Sequence, residues 1–530
     1  MRRYLALAMV LVLVTLTAGC SPQKSEKPAQ PAQQPQAQPE KVLSFTIDCE
    51  NTEKEVSEAI AQQLKNVGIE AQVRVWGDWS VLKKALLAGE REAHFTYWGN
   101  STLDPFDILN PKYLADGTSN YSRYINQELI ECINKGATEL TSEGRIAAYK
   151  KAQEIIARDI PVIYAYAPKN IEACAQTVKN WRPSTDDRMN LHDVEVEGAD
   201  TITAAIRESI PTLDPADHRS RVSETVIRNI FDGLVTRTPD GKVVPEIAES
   251  WTNPSPTVWE FTLRKGVTFH DGSPLTSEDV KFTFERILND GGMGNGKTSP
   301  RKSMLGPLQT VEAPDKYTVR FTLKEPWPIL PQMFVHQQIV PKAYVSKVGS
   351  KTFAEKPVGA GPFKLISCKG DERVVLERYS DYYGGAPDIT PVGPAKLKRV
   401  IFEIMPEVST RVAALEAGKA HIIQAVPPSL VKNLESNPKV SVKYANGTNA
   451  YMMNLNVSKP PFNDLKVRQA VAHAIDWDTI ISKLLGGNAV RMPGPLLPHG
   501  FACDPSIKGL PYDVAKAKAL LNEAGYKAAQ

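Results

Sequence analysis

The sequence predicts an α/β fold whose helix-covered parallel sheets are divided between two lobes. The first observation is the order strand, helix, strand, helix, strand between residues 43 and 98, which is typical of a parallel sheet with helical crossovers. The second is a further strand, helix, strand order from residue 400 onward. The third is an internal echo, because segments 85–98 and 413–426 share a helix end, a glycine turn, an Ala-His pair and an apolar strand. Two similar units in distant parts of one chain indicate two related lobes.

Length and composition are those of a globular protein with room for two or three cores. The chain has 530 residues, of which 42% are hydrophobic and 23% charged. A formal net charge of +3 provides neither a basic track for nucleic acid nor an acidic tail, so no nucleic-acid partner is expected.

The cysteines and histidines do not predict a metal site. None of the six cysteines has a CxxC or Cys/His spacing, and the five that follow Cys20 allow at most two disulfides of undetermined pairing. His94 and His421, which open the two echoed strands, have no carboxylate or thiol at ligand spacing, so a metal ion between them is not expected.

Residues 1–20 predict a lipoprotein signal peptide. Two arginines precede an apolar run over residues 5–16 that is too short to span a bilayer comfortably, and small residues lead to Cys20. A cysteine in this position resembles the lipid acceptor of bacterial lipoproteins, and we expect Cys20 to carry the lipid. Residues 21–40 are rich in Pro, Gln and Ala, cannot build a core, and predict a tether with a reach of roughly 25 Å.

From residue 43 each element is predicted by its hydrophobic period. Residues 43–47, 69–75 and 93–98 have the pattern of strands. The first intervening helix is closed by Gly68, and the second is expected to be capped by Ser80 and to end at Gly89. Because ligands bind beyond the carboxyl ends of parallel strands, three loops are predicted to bind the ligand, namely 49–51, 77–80 and 99–104.

The remaining elements follow from the same two periods. The clearest run is 259–288, where alternating apolar residues predict a strand and Thr276 with Asp279 predicts a capping-box start to a helix. Helices are also predicted at 145–158, 222–234 and 409–417, and strands at 162–166, 170–174, 201–206, 317–323, 400–404 and from 422 onward.

Several stretches resemble one known family. They are AESW, FTLRKGVTFHDGSPLTSEDVKF, GAGPF, PFNDLKVRQAVAHAIDWDTII and PYDVAKAKALLNEAGY. These segments resemble the sequences of the extracellular solute-binding proteins of family 5, the oligopeptide, dipeptide and nickel receptors of ABC transporters. Residues 201–526 resemble the first three-fifths of a member, and residues 41–194 resemble the remaining two-fifths. Since 201–530 followed by 41–200 would give one complete member, the chain resembles a circular permutant. A rearranged or misassembled gene is the competing interpretation.

The resemblance implies a two-lobed periplasmic-binding-protein-like fold of type II, cluster C. An extra subdomain at 245–355 would belong to the larger first lobe. Residues 201–530 would supply the first lobe, the subdomain and the start of the second lobe. Residues 41–200 would supply the rest of the second lobe and a return into the first.

The resemblance also implies a function. The protein would be a monomeric, lipid-anchored receptor on the extracytoplasmic face of a membrane, in the periplasm or at the cell surface. It would close on a small solute, with a peptide as the expected one, and deliver it to ABC permease and ATPase subunits. Neither a cofactor nor enzymatic activity is expected.

The predicted ligand contacts surround one loop. Trp79 and Trp98 match tryptophans that wall the family's pocket, and large, stiff aromatic surfaces suit ligand contact. Peptide receptors of the family place an amine-binding carboxylate three residues after the second tryptophan. This chain has Ser101 there, so Asp104 would have to supply the charge. The other predicted contacts are Gly99, Asn100, Asn449 and Tyr451.

Other functions remain open at this point. A sensory receptor of the same fold, an oligosaccharide receptor or a nickel receptor would show the same pattern. A secreted hydrolase would need an acid pair, such as Asp186 with Asp187 or Asp104 with Asp107. Adjacent acids in an extended segment point apart, and no GxSxG motif occurs, so a hydrolase is disfavoured.

Overall fold

The computed structural model describes residues 41–387 and 392–529. The predicted signal peptide, Cys20 and the tether lie outside the described residues. In chain order the strands are β1 (Leu43–Glu50), β2 (Ile69–Trp76), β3 (Ala93–Gly99), β4 (Val162–Tyr164), β5 (Tyr166–Ala175), β6 (Val178–Lys179), β7 (Glu195–Val196), β8 (Thr201–Ile206), β9 (Val235–Arg237), β10 (Val243–Pro245), β11 (Ala248–Ser255), β12 (Val258–Leu263), β13 (Leu308–Asp315), β14 (Thr318–Leu323), β15 (Phe363–Lys369), β16 (Arg373–Arg378), β17 (Arg399–Ile404), β18 (Ile422–Ile423), β19 (Val440–Asn446), β20 (Asn449–Leu455) and β21 (Ala489–Arg491).

The α-helices lie in the sequence between these strands and after the last one. They are α1 (Lys54–Lys65), α2 (Trp79–Leu87), α3 (Pro105–Tyr113), α4 (Gln127–Thr138), α5 (Ser142–Asp159), α6 (Arg221–Ile230), α7 (Ser277–Leu288), α8 (Leu330–Phe334), α9 (Lys342–Glu355), α10 (Val408–Glu416), α11 (Val431–Glu435), α12 (Leu465–His473), α13 (Trp477–Lys483) and α14 (Val514–Glu523). Across the described ranges, no helix combines the length and apolar character that a membrane crossing requires.

The second lobe is built around a five-stranded sheet with the order β2-β1-β3-β20-β4. Strands β1, β2 and β3 are parallel, which confirms the parallel sheet that the sequence predicts. The sheet then continues antiparallel, since β20 runs opposite to both β3 and β4. Its core contains buried side chains from β1, β3, α1, α12 and α14.

The first lobe is built around a larger mixed sheet with the order β15-β16-β17-β8-β18-β5-β19, to which β21 adds by pairing with β5. The strand, helix, strand unit predicted from residue 400 is confirmed as β17, α10 and β18. Strands β17 and β18 both lie parallel to β8. The two predicted strands at 162–166 and 170–174 differ from the structure, where β4 is short and β5 is one continuous strand of 10 residues.

A separate antiparallel sheet lies within the range expected for the extra subdomain. Its order is β11-β12-β14-β13, and α7 packs on it through Val280, Phe284 and Ile287. The predicted capping box of α7 is confirmed, because the backbone N–H of Thr276 donates to the Asp279 carboxylate at 2.9 Å. The predicted cap of α2 is wrong by two positions. Asp78 caps that helix by accepting from the backbone N–H of Ser80 at 2.8 Å.

Two neighbouring strands connect the lobes. Strand β4 continues as β5 with one residue, Ala165, between them, and β19 continues as β20 through Gly447 and Thr448. A Cβ atom on Gly447 would lie 2.2 Å from the carbonyl oxygen of Pro168, so only glycine lets the two crossing strands approach this closely. The crossing strands are the hinge that a closing motion would use.

Segments 41–200 and 201–530 contribute strands to both large sheets. Strand β20 lies between β3 and β4, and β5 lies between β18 and β19. Near the two ends of the described chain, the backbone N–H of Lys527 donates to the carbonyl of Lys41 at 3.0 Å, and that of Ala529 to the carbonyl of Val67 at 3.0 Å. The five cysteines in the described ranges are all free thiols.

Candidate functional site

Of the predicted contacts, Trp98, Gly99, Asn100, Ser101 and Asn449 lie at the carboxyl end of β3. Strand β20 pairs with β3 so that Asn449 lies opposite Gly99, Ala450 opposite Trp98 and Tyr451 opposite Tyr97. Residues about 350 positions apart in the sequence are therefore neighbours at one edge of the second lobe. This is the place that the carboxyl-end rule for parallel strands predicts.

The loop that follows β3 is held to the hinge and to the first lobe. The backbone N–H of Asn100 donates to the carbonyl of Thr448 at 2.8 Å. Arg221, at the start of α6 in the first lobe, donates to the Thr448 hydroxyl at 3.0 Å. A Cβ atom on Gly99 would lie 3.0 Å from the Arg221 guanidinium, so a glycine here leaves room for the arginine. The predicted loop is thus a point of contact between the lobes.

Ser101 makes a second contact across the lobes. Its carbonyl oxygen accepts a hydrogen bond from the guanidinium of Arg237 at 2.6 Å, and Arg237 stands at the end of β9 in the first lobe. The Arg237 side chain is 1% exposed, so this bond lies in a desolvated place where a charged donor is strong. Sequence analysis missed Arg237, since a single arginine at a strand end has no pattern of its own.

Trp98 and Trp79 are both half-buried and fixed by their neighbours. The indole Nε1–H of Trp98 donates to the carbonyl of Asp107 at 2.7 Å. Trp79 stacks on His94 at 5.9 Å between ring centroids and meets the edge of Tyr121 at 6.0 Å. Both indoles therefore have one fixed orientation while part of each surface stays accessible, which suits a preorganised ligand contact.

A buried cluster of His94, Lys112 and Tyr121 lies behind the two tryptophans. The Lys112 ammonium stands 5.3 Å from the Trp98 ring and 5.5 Å from the Tyr121 ring, and the residue is 2% exposed. Within the described part of the chain its Nζ has no hydrogen-bond partner. Burial lowers the pKa of Lys112 to about 7, and burial together with the Lys112 charge lowers the pKa of His94 to about 3. Sequence analysis missed Lys112 because Pro111 interrupts the helical pattern around it.

Asp104 is committed to the scaffold. Its carboxylate caps α3 by accepting from the backbone N–H of Phe106 at 3.0 Å and forms an ion pair with Arg145 at 2.7 Å. Both side chains of the pair are almost fully buried, at 2% and 6% exposure. The charge of Asp104 is therefore already compensated by Arg145, and Asp104 as the amine-binding group stays a prediction.

Tyr451 lies on the other face of the sheet from Trp98. It stacks on Tyr166 at 4.9 Å and meets Tyr97 at 5.3 Å. Trp98, by contrast, packs with the cluster that includes Ala450 and Met452. Neighbouring residues of a strand point to opposite faces, so the register separates two residues that the sequence grouped into one pocket.

The acid pairs considered for a hydrolase have other partners. Asp186 bonds to Arg188 and lies 3.5 Å from Arg237, and these two arginines outweigh burial and hold its pKa well below its usual range. The Asp107 carboxylate accepts from the Thr102 hydroxyl at 3.3 Å, and burial raises its pKa to about 6.

The two echoed histidines also have separate surroundings. His94 lies in the buried cluster of the second lobe, whereas the His421 ring accepts from the backbone N–H of Thr203 at 3.0 Å within the first-lobe sheet. In residues 41–387 and 392–529, no three His, Cys, Asp or Glu side chains are grouped to hold a metal ion.

A cavity of about 500 Å³ adjoins the 99–104 loop. This volume is in the range of sites for small ligands. Its wall combines the second lobe with the β9–β10 turn and the subdomain, and includes Thr102, Leu103, Gly241, Val243, Trp259 and Phe501. Trp79 and Trp98 are not among its lining residues. The loop therefore has a tryptophan-bearing side and a cavity-facing side.

Comparisons with known proteins agree on one family. A family model described as bacterial extracellular solute-binding proteins, family 5 (middle), matches residues 242–530. The glutathione-binding protein GsiB of Pectobacterium atrosepticum is 30% identical over 325 residues, which are 61% of this chain and 60% of that protein. GsiB of Salmonella paratyphi A is 28% identical over 332 residues, 62% of each chain. The solved structure of HbpA2 from Haemophilus parasuis is 26% identical with a TM-score of 0.53, covering 62% of this chain and 67% of that one. The chain spans about 60% of the length of the curated relatives that it matches.

Proposed function

Because this chain belongs to the bacterial extracellular solute-binding proteins of family 5, we propose that it binds a small solute between its two lobes and delivers it to an ABC permease with its ATPase. The observation that carries this proposal is the 99–104 loop. It lies at the carboxyl end of β3, adjoins a 500 Å³ cavity and is bonded to the first lobe through Arg237; Arg221 of the first lobe bonds to Thr448, whose carbonyl holds Asn100. Contacts of this kind form and break as lobes close and open, so solute binding and closure are coupled.

The solute we propose is a peptide or a peptide-like small molecule. Relatives named for glutathione binding support this size and chemistry. Ser101 provides no carboxylate at the family's amine-binding position, and Asp104 is paired with Arg145. A free ammonium would therefore find no uncompensated carboxylate in this loop. We propose that the amino end of the solute is blocked, or is held elsewhere.

Trp98 and Trp79 are the proposed aromatic contacts; they do not line the 500 Å³ cavity, so they would contact a part of the solute that lies outside it. Trp98→Ala should weaken solute binding by about 2 kcal/mol, a typical loss for a buried aromatic anchor. Trp98→Phe keeps most of the aromatic surface and should lose less. The exposed Tyr512 lies outside the proposed site, and Tyr512→Ala is the matched control.

The experiment begins with native mass spectrometry of gently purified protein, which identifies a co-bound solute by its mass. Calorimetry on protein stripped of that solute then measures its affinity for wild type, Trp98→Ala, Trp98→Phe and Tyr512→Ala. Normal affinity in Trp98→Ala with an intact fold would contradict the assignment of the aromatic contact. Absence of any bound or bindable small molecule in wild type would contradict the proposed function itself.

We also propose that Cys20 carries a lipid and that residues 21–40 tether the receptor to the extracytoplasmic face of a membrane. The apolar run that leads through small residues to Cys20 supports the lipid, and the composition of residues 21–40 supports the tether. Labelled palmitate should be incorporated into wild type and not into Cys20→Ala. Equal incorporation into both would contradict the assignment.

Finally, we propose that the chain is a circular permutant of the family order. Three observations support this order: the shared strands of segments 41–200 and 201–530, the bond between Lys527 and Lys41, and matches that stop at about 60% of each relative. Limited proteolysis should release no stable fragment ending near Asp200. An independently folded 41–200 fragment would support two domains in series instead.

A further inference from the structure

We propose that Arg188 and Arg237 of the first lobe form a subsite for a carboxylate or similar compact oxyanion carried by the solute. This inference rests on the proposed function and narrows its solute to an anionic one. The two arginines wall a small cavity of about 70 Å³. Other lining residues include Asp186, Arg228, Asp232 and Tyr382.

Several buried guanidinium nitrogens of Arg237 and Arg188 make no hydrogen bond within the described residues. Arg237 uses one terminal nitrogen on the Ser101 carbonyl, and its Nε and other terminal nitrogen have no hydrogen-bond partner among the described residues. Arg188 uses one terminal nitrogen on Asp186, and within the same ranges its Nε has no hydrogen-bond partner, while its other terminal nitrogen makes no hydrogen bond and lies 3.9 Å from the Glu224 carboxylate. The two side chains are 1% and 9% exposed. Buried guanidinium donors are costly unless an acceptor reaches them.

The second argument is the charge of the cavity wall. Four guanidiniums line it, those of Arg182, Arg188, Arg228 and Arg237. Among the carboxyls that line it, Asp186 stays ionised, because Arg188 and Arg237 outweigh burial and keep its pKa low. Asp232 has its pKa raised well above the usual value by burial, and it accepts hydrogen bonds from the hydroxyls of Tyr382 and Tyr383 at 2.8 and 2.7 Å.

The third carboxyl of the wall, that of Glu246, does not neutralise the remaining guanidinium charge. Burial also raises the pKa of Glu246, whose carboxylate accepts from the backbone N–H of Gly233 at 2.7 Å. The wall therefore carries more positive than negative charge in a place that water screens poorly. An anion entering it would compensate guanidinium charge that the protein leaves uncompensated.

The third argument is position. Arg237 already reaches the 99–104 loop of the other lobe through Ser101. The β9–β10 hairpin separates the two cavities: its Thr236, Arg237 and Pro239 line the small one, and Asp240 to Val243 line the 500 Å³ one. Arg237 therefore stands on the hairpin that borders both cavities.

The size of the small cavity suits one functional group and not a whole solute. At about 70 Å³ it is much smaller than the neighbouring 500 Å³ cavity, and it has room for a planar carboxylate or for a few waters. In Arg237 the unpartnered Nε and Nη2 share one edge of the guanidinium and form the fork that arginine offers to a carboxylate, whereas the unpartnered Nε and Nη1 of Arg188 lie on different edges. The alternative is that ordered water alone satisfies these donors, and the test below separates the two.

The test uses matched acids and amides. A thermal-shift library is composed of N-acetyl dipeptides with a free carboxyl end, the same dipeptides as carboxyl-terminal amides, and sugar acids with their neutral sugars. Calorimetry then measures the affinity of any pair that gives a shift. Acetate and phosphate at the same concentrations show whether a free anion is enough.

The variants separate charge from fold. Arg237→Met and Arg188→Met remove the proposed donors, and Arg237→Lys keeps the charge without the fork. Arg320→Met removes an arginine on the surface of the subdomain and is the matched control. Should either Met variant unfold, Arg188→Lys and Arg237→Lys carry the same comparison.

We expect the acid of a pair to bind wild type and Arg320→Met at least tenfold more tightly than its amide. The preference should be lost in Arg237→Met and reduced in Arg237→Lys, with amide binding unchanged. Equal binding of acid and amide to wild type would overturn the inference while leaving the proposed function intact. A preference that survives both Met variants, or an equal effect of free acetate or phosphate, would also overturn it. Failure of every probe and of native mass spectrometry to show a solute would overturn the inference together with the proposed function.

Discussion

Replacing Lys112 by methionine should stabilise the protein. The lysine lies at 2% exposure between the rings of Trp98 and Tyr121, and in the described ranges its ammonium has no hydrogen-bond partner. Methionine has a similar length, keeps the apolar contacts and removes the charge. The variant therefore tests whether the protein needs the Lys112 amine next to these rings, or only an apolar side chain of that length.

The magnitude follows from the pKa. Burial lowers the pKa of Lys112 from 10.5 to about 7. Each tenfold change in proton affinity corresponds to about 1.4 kcal/mol, so burying this amine costs about 5 kcal/mol at neutral pH. The lost attraction to two aromatic rings offsets about 2 kcal/mol of the gain. We expect Lys112→Met to be more stable by about 3 kcal/mol at neutral pH.

The direction of the pH dependence follows from the same pKa shift. The folded pKa lies below the unfolded one, so the unfolded chain binds more protons between pH 7 and 10.5, and the stability of wild type rises across that window. The advantage of Lys112→Met should therefore be full below about pH 7 and shrink above it.

Chemical denaturation of both proteins from about pH 6 to about pH 9 measures this difference. Lys135→Met changes an exposed lysine on α4 and should show no such pH-dependent gain. A Lys112→Met protein that is no more stable than wild type at neutral pH, or whose advantage does not change with pH, would refute the reasoning.

Two further predictions concern the scaffold. Asp104→Asn should keep the cap of α3 but leave the Arg145 guanidinium buried without its carboxylate, with a loss of about 3 kcal/mol in denaturation. Adding Arg145→Met should recover part of this loss, and an equal or larger loss in the double variant would contradict a charge-based cause. Gly447→Ala should shift the hinge, because its Cβ would lie 2.2 Å from the Pro168 carbonyl, and should lower both the unfolding midpoint and solute affinity. Unchanged values for both quantities would show that the crossing strands adjust freely.

The sequence predicted the elements whose patterns are local. Strands β1 to β3 and their parallel order follow from period and loop signals within 60 residues, and the Thr276 capping box follows from two residues three positions apart. The cap of α2 was assigned to Ser80 instead of Asp78 because both residue types cap helices well. The pairing of β20 with β3 joins residues about 350 positions apart, which no local period reports.

The position of the 99–104 loop could be predicted from the sequence, whereas its contacts could not, and its role as the ligand site stays a prediction. The loop after β3 could be located from strand order alone. The role of Asp104 could not, because its partner Arg145 comes from a helix that sequence patterns do not place next to it. Arg188, Arg237 and Lys112 were missed for the same reason: their chemistry arises from burial and from missing partners, and neither is visible in a sequence.

We propose that a solute is held between the two lobes at the 99–104 loop. Hydrogen exchange measured by mass spectrometry, with and without the solute recovered from the protein, tests this directly. We predict that the solute slows exchange in both lobes together, in residues 99–104 of the second lobe and in residues 184–188 and 235–243 of the first. Protection limited to one lobe, or protection elsewhere with the 99–104 loop unchanged, would contradict the claim.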